Sequence, residues 1–280
     1  MKVKITADST CDLSPELIRK YNITIIPLSI IREGRSYLDT VEIRPKDIFD
    51  YFDKTGTICS TTAVNVADYI DQFRKAKEGY DAIVHFCISS SMSACYQNAC
   101  IAAEDVGNVY PIDSQNLSTG IGQLVLDASL LASAGMDAPE IAAEINRRKE
   151  KLDVSFVLDT LLYLWKGGRC NAVAAFGANL LNLKPCIEVR AGKMGVGKKY
   201  RGSLKKCLVS YVEDRLKGAD DIDYRRIFIT DSGISRDLYQ TVLKTVQKCG
   251  PFQEIINTQA GCTISSHCGP NCLGILYYHK

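Results

Sequence analysis

The chain has 280 residues, 46% apolar and 24% charged, and a net charge of +2 from 34 basic and 32 acidic side chains. That balance excludes a disordered chain and a surface that recruits nucleic acid or anionic membrane by its overall field. Apolar runs such as 161–165 fall far short of the roughly 20 residues of a spanning helix or the roughly 7–15 of a signal-peptide core, so a cytoplasmic protein is expected.

Short β-rich runs alternate with helical patterns along the chain. In the first half, strands are expected over 3–7, 24–31, 82–88 and 108–112, with helices over 15–21, 45–54, 66–76, 93–106, 120–134 and 139–151. In the second half, strands are expected over 154–158, 186–190, 226–230, 254–258 and 274–278, with helices over 203–216 and 236–247. The alternation implies an α/β fold: a mostly parallel sheet with flanking helices, then a second, smaller α/β domain. The division is expected near 153, giving 1–153 and 154–280.

Asp8-Ser9, Asp113-Ser114, Asp159-Thr160 and Asp231-Ser232 each follow an apolar strand directly. Short polar side chains there organise turns or cap helices, and in open α/β sheets that rim is also where ligands bind. Three hydroxyl-rich loops are expected on the same rim: Ser60 to Asn65, Ser89 to Ser93, and Asp113 to Ser118. Hydroxyls and free N–H groups at helix N-termini make an anion cradle where two such loops converge.

Other chemistries fit less well. Gly192, Gly197 and Lys198 match the Walker A spacing, but Lys199 stands where a Ser or Thr should hold magnesium, and the segment reads as a β-hairpin. A serine hydrolase needs a base, and of His85, His267 and His279 only His267 lies in a polar turn; no Gly-x-Ser-x-Gly elbow is present. Twelve cysteines are too few for a disulfide scaffold and read as small core residues in a reducing compartment. Cys262, His267, Cys268 and Cys272 offer metal-ligand types, but the adjacent His-Cys spacing is unusual, and no metal or cofactor is expected.

Four ordered segments resemble the DegV family of fatty-acid-binding proteins: Ile5 to Leu13 with its Asp-Ser loop; Pro111-Ile112-Asp113-Ser114 with Gly120 and Gly122; Phe156 to Arg169; and the closing turn with His267, Gly269 and Pro270. The match runs nearly the whole length. Departures fall in the hydroxyl loops, where Thr61-Thr62-Ala63-Val64-Asn65 lacks the family's proline and Ser91-Met92-Ser93-Ala94 lacks its glycines. The resemblance implies a non-enzymatic carrier of one palmitate- or oleate-like fatty acid, presented to a separate kinase subunit that makes the acyl phosphate. It implies a carboxylate site at Thr61, Thr62, Ser93, His267 and Arg169, and docking of the kinase on Arg201 with Lys198 and Lys199. Seven basic residues and no acid lie between Arg190 and Lys206. Two other readings stand beside it: a phosphoryl-transfer enzyme related to dihydroxyacetone kinases, and a serine-type lipid hydrolase.

Overall fold

A computed structural model describes residues 1–170 and 183–280. The first half runs β1 (Val3–Asp8), α1 (Pro15–Lys20), β2 (Thr24–Ile26), β3 (Ser29–Arg32), β4 (Arg35–Leu38), α2 (Pro45–Thr55), β5 (Ser60–Thr62) and α3 (Val66–Lys77). It continues with β6 (Ala82–Cys87), α4 (Cys95–Val106), β7 (Val109–Asp113), α5 (Thr119–Ser133) and α6 (Ala138–Arg148). The second half runs β8 (Leu152–Val157), α7 (Leu162–Gly167), β9 (Leu183–Arg190), β10 (Lys193–Arg201) and α8 (Leu204–Leu216). It closes with β11 (Ile222–Asp231), α9 (Arg236–Cys249), β12 (Glu254–Gln259), α10 (Cys262–Cys268) and β13 (Leu273–His279).

A four-stranded, all-parallel sheet in the order β2-β1-β6-β7 forms the core of the first half. Helices cover both faces, so every residue of β6 is buried and the strand reads as a nearly unbroken apolar run. The second half is built on six strands in the order β10-β9-β8-β13-β11-β12, in which only β11 and β12 are parallel. The chain passes from one unit to the other through a 3-10 turn at Lys149–Lys151, and we propose the domain division there.

Helix α5 lies between the two sheets, touching β1 and β6 on one side and β8 and β13 on the other. Its residues from Thr119 to Ser129 are all buried; most are apolar or small, and the buried Asp127 pairs with Arg148 and Arg226. Gly122 permits this approach: a Cβ there would stand 2.9 Å from Leu13 and 3.0 Å from the Cys11 carbonyl oxygen.

Two expectations need correcting. The expected strand over 24–31 is two strands in different sheets, because Pro27 has no N–H for a ladder bond and the chain bends there. The continuation, β3, pairs antiparallel with β4 and β5 in a separate three-stranded sheet. The expected turn after Gly261 is helix α10, which packs on α2, α7, β3 and β5 although it comes from the far end of the chain.

None of the twelve cysteines is in a disulfide, and ten of them are buried. Thiol titration in denaturant without reductant is expected to find twelve; a smaller number would show a disulfide.

Candidate functional site

A cavity lies where α10, α7, β5, β10 and the loop after β6 meet. Its polar lining includes Thr61, Thr62, Ser93, Arg169 and His267; Leu28, Ile88, Met92, Leu164, Met194 and Ile264 make most of the rest. The five residues singled out in the sequence therefore share one cavity.

Helix α10 sets the position of His267. It has seven residues of poor helix propensity, and its N-terminal N–H groups are met by two buried aspartate side chains. Asp12 Oδ1 accepts from Gly261 N at 2.8 Å, and Asp39 accepts from Cys262 N at 2.8 Å and Thr263 N at 3.1 Å. Thr263 Oγ1 and Ser9 Oγ also donate to Asp39, at 2.6 and 2.9 Å. The last turn of the helix then brings His267 Nε2 to 2.9 Å from Thr61 Oγ1.

Thr61 lies on β5, not at a helix N-terminus as the loop pattern implied. Helix α3 begins later, capped by Asn65. Ser93 does precede a helix, and its Oγ accepts from Cys95 N at 3.3 Å and donates to Cys95 Sγ at 3.2 Å. Its loop is braced by Ser90, whose N and Oγ donate to Asp113, and by Ser89 Oγ, which donates to the Gly192 carbonyl at 2.7 Å. The third hydroxyl loop contributes only Leu117 to the cavity. The strand-end aspartates act mainly in turns: Asp113 accepts from Gln115 N and Asp231 from Gly233 N and Ile234 N.

Burial, with Arg169 nearby, pushes the His267 pKa down to about 4, so the ring is neutral at pH 7. Its Nδ1 is buried, has no hydrogen-bond partner among the described residues, and faces Gly167. Arg169 follows Gly168, which ends α7 in the left-handed region at φ 66°, and its Nη1 donates to the Gly167 carbonyl at 2.6 Å. It is the one charged side chain among the described lining residues.

The fit between α7 and the ring is tight. A Cβ at Gly167 would stand 2.3 Å from His267 Nδ1. Gly167→Ala is expected to cost about 1–3 kcal/mol by overpacking and to break the Thr61–His267 bond. An unchanged denaturation midpoint together with an unchanged His267 imidazole NMR signal would show that the ring has room.

A second cavity shares Leu117, Ile264 and Cys268 with the first. Phe156, Leu276, Cys272 and the bare Cα of Gly274 extend it between the two units. Nothing in the sequence pattern marked these residues as a lining, because each is equally at home in a core.

Cys262, His267, Cys268 and Cys272 do not gather into a metal-sized cluster among the described residues. Cys262 Sγ donates to the Ile43 carbonyl at 3.2 Å. The Gly192–Lys199 segment is a β-hairpin. Arg201, Lys198 and Lys199 project from β10 and line no part of either cavity, although Met194 of the same strand lines the first. The local basic field is weaker than the sequence run implies. Asp214 pairs with Lys198 at 2.6 Å, Glu188 with Arg190 at 2.7 Å and Asp237 with Lys205 at 3.1 Å.

Comparison with known proteins places these features in a family. The sequence model of DegV, described as a family of uncharacterised proteins, matches residues 2–280. A DegV domain-containing protein of Clostridium acetobutylicum is 32% identical over 284 residues, covering 100% of this chain and 99% of its own. A DegV family protein of Thermus thermophilus, solved for its fatty acid binding, superposes with a TM-score of 0.90 at 29% identity, with 100% of both chains covered. A DegV lipid-binding protein of Thermotoga maritima gives 0.87 at 27%, covering 100% of this chain and 99% of the other. The chain belongs to the DegV family.

Proposed function

We propose that this protein binds one long-chain fatty acid, with the carboxylate at Thr61, Thr62, Ser93, Arg169 and His267 and the acyl chain along the two apolar cavities. The observation that carries the reading is the convergence of three hydroxyls, a neutral imidazole and one guanidinium on a cavity whose remaining lining is mostly apolar. Burying about 14 methylenes gives a gross ~11 kcal/mol before immobilisation costs, so the head group has only to be oriented. The fatty acid and lipid binding of the Thermus and Thermotoga relatives supports the same ligand class. Native mass spectrometry of the purified protein tests it. The expected result is a co-purified long-chain carboxylic acid at one per chain. A bare protein that binds neither added palmitate nor added oleate would overturn it.

The carrier then presents the carboxyl to a separate kinase subunit for acyl phosphate formation, docked on the hairpin face with Arg201, Lys198 and Lys199. Rim charges act mainly on association rate. A Lys198→Ala, Lys199→Ala, Arg201→Ala variant is therefore expected to slow kinase-dependent acyl phosphate formation several-fold at low salt and to flatten its salt dependence. Its fatty acid affinity should stay within about twofold, since these side chains line neither cavity. An unchanged rate at every salt concentration would remove the docking assignment.

The two enzymatic readings gain little. Lys198 and Lys199 lie within a strand, without the helix N-terminus that a phosphate loop needs. His267 Nε2 meets Thr61, not a serine, and its unpartnered Nδ1 has no carboxylate to orient it as a base.

A further inference from the structure

A second polar cluster lies inside the first sheet, in neither cavity. Asp8 ends β1; His85 and Cys87 stand two apart on β6, so their side chains share one face. The register pairs Thr6 with His85 and Ala7 with Phe86, which brings Asp8 beside Cys87. All three side chains are fully buried, and one ligand atom from each lies within 4.8 Å of the others. Among the described residues this is the one such trio.

We propose that Asp8, His85 and Cys87 form a closed zinc site, filled as the chain folds. His85 Nδ1 lies 2.9 Å from Thr6 Oγ1, and with Nδ1–H donating there the ring presents a bare Nε2 lone pair to the cluster. Nε2 is buried and has no hydrogen-bond partner, yet it faces Asp8 Oδ1 at 3.3 Å. In that tautomer two lone pairs face each other in a dry interior and repel, and a cation between them reverses the sign. The spacing also fits: Zn–N and Zn–O bonds of ~2.0–2.2 Å at a tetrahedral angle give an N···O edge of ~3.3 Å.

The charge balance suits a closed interior. One carboxylate and one thiolate neutralise a divalent ion, so no net charge is buried. Binding converts the Cys87 thiol to thiolate, the sulfur's electron pair forms the Zn–S bond, and the proton leaves to solvent. Without the ion, burial holds this thiol well above its ordinary pKa, mainly by desolvation with Asp8 adding to it. Oxygen, nitrogen and sulfur together are a donor set that zinc accepts.

The surroundings act as a supporting shell. Tyr69 Oη donates to Asp8 Oδ1 at 2.6 Å, and Ile88 N donates to Asp8 Oδ2 at 3.1 Å. The rings of Tyr69 and Phe73 pack edge-on against His85 with centroids 5.2 and 5.0 Å away. Tyr69 also reaches the Cys95 thiol, which ties the start of α4 to the same shell. The strand then runs straight into the Ser89–Ser93 loop, which an ion here would brace from beneath.

The full chain tests this by metal analysis. Protein expressed with added zinc and passed over a sizing column in chelator is expected to keep about one zinc per chain. Because the site has no opening, protein unfolded in chelator and refolded without metal should take up zinc only after a further unfolding and refolding with the metal. Refolding with cobalt is expected to produce a thiolate-to-cobalt charge-transfer band in the near ultraviolet. Cys87→Ser and His85→Gln should lose both the band and the zinc, and Cys268→Ser should keep both. Wild-type protein that retains less than about a tenth of an equivalent of either metal after refolding would overturn the site, whether or not the variants fold. So would a Cys87→Ser variant that folds and still shows the cobalt–sulfur band.

Discussion

A Thr61→Ala, Ser93→Ala double variant is expected to bind palmitate or oleate roughly 100-fold or more weaker than the wild type. A hydrogen bond to a charged group is worth ~1.5–3 kcal/mol, and each ~1.4 kcal/mol is a factor of ten. The two sites share one head group, so their losses need not add. The losses have different origins. Thr61 holds His267 Nε2 at 2.9 Å, and with the ring donating, its own hydroxyl hydrogen is free for a carboxylate. Removing it takes away a donor and unseats the ring together. Ser93 Oγ also accepts from Cys95 N just before α4, so its loss removes that contact as well. Thr61→Ser keeps the hydroxyl and should recover most of the affinity, which separates the bond from simple packing. Isothermal titration of delipidated protein reads the effect. A double variant that binds like the wild type would remove Thr61 and Ser93 from the carboxylate site.

The first sheet was legible because its strands are buried on both faces. Residues Ala82–Cys87 give a nearly continuous apolar run that only a covered parallel strand produces. Amphipathic helices with proline at the first turn, such as Pro45–Thr55, and with serine or asparagine caps, such as Val66–Lys77, were legible for equally local reasons. Helix α10 was not. The segment Cys262–Cys268 has no apolar period, and what stabilises its N-terminus comes from Asp12 and Asp39, 249 and 223 residues away in sequence. Local propensity carries no trace of such a partner.

The candidate site divides along the same line. The hydroxyl loops stood out by composition and Arg169 through the family resemblance, whereas the 206-residue leap that joins Thr61 to His267 is a product of topology. The apolar lining was invisible, since Leu164, Met194 and Ile264 differ from core residues only in facing a void. The hairpin misled in the opposite direction. Its run of basic residues is real, but the acids that offset it lie outside the run: Glu188 just before it, and Asp214 and Asp237 on α8 and α9.

Ligand-free protein is expected to lose about 2 kcal/mol of stability between pH 6.5 and pH 8, opposite to the usual carboxylate trend. Burial pushes the Asp12 pKa from 3.8 up to about 8, against hydrogen bonds from Ser118 and Gly261 N that favour the charged form. Its native state therefore holds a proton that the unfolded chain releases, and stability falls as pH rises from about 4 to about 8. His267 works in the other sense. Its pKa is lowered from 6.5 to about 4, so the unfolded state binds more protons in that window and stability falls as pH drops through it. Between pH 4 and 6.5 the two slopes of ~1.4 kcal/mol per unit oppose each other, and above 6.5 only that of Asp12 remains. The Asp231 carboxyl, also raised by burial, adds to the Asp12 side. Asp12→Asn should remove most of the fall above pH 6.5. Its amide oxygen can still accept from Gly261 N, so the start of α10 is kept. His267→Gln should instead uncover the Asp12 slope and keep gaining stability as the pH is lowered from 6.5 to 4. Urea midpoints across pH 4–8 measure all three proteins. An Asp12→Asn variant with the wild-type fall above pH 6.5 would show that Asp12 is already ionised in the folded chain, and that α10 rests on two carboxylates rather than on one carboxylate and one carboxylic acid.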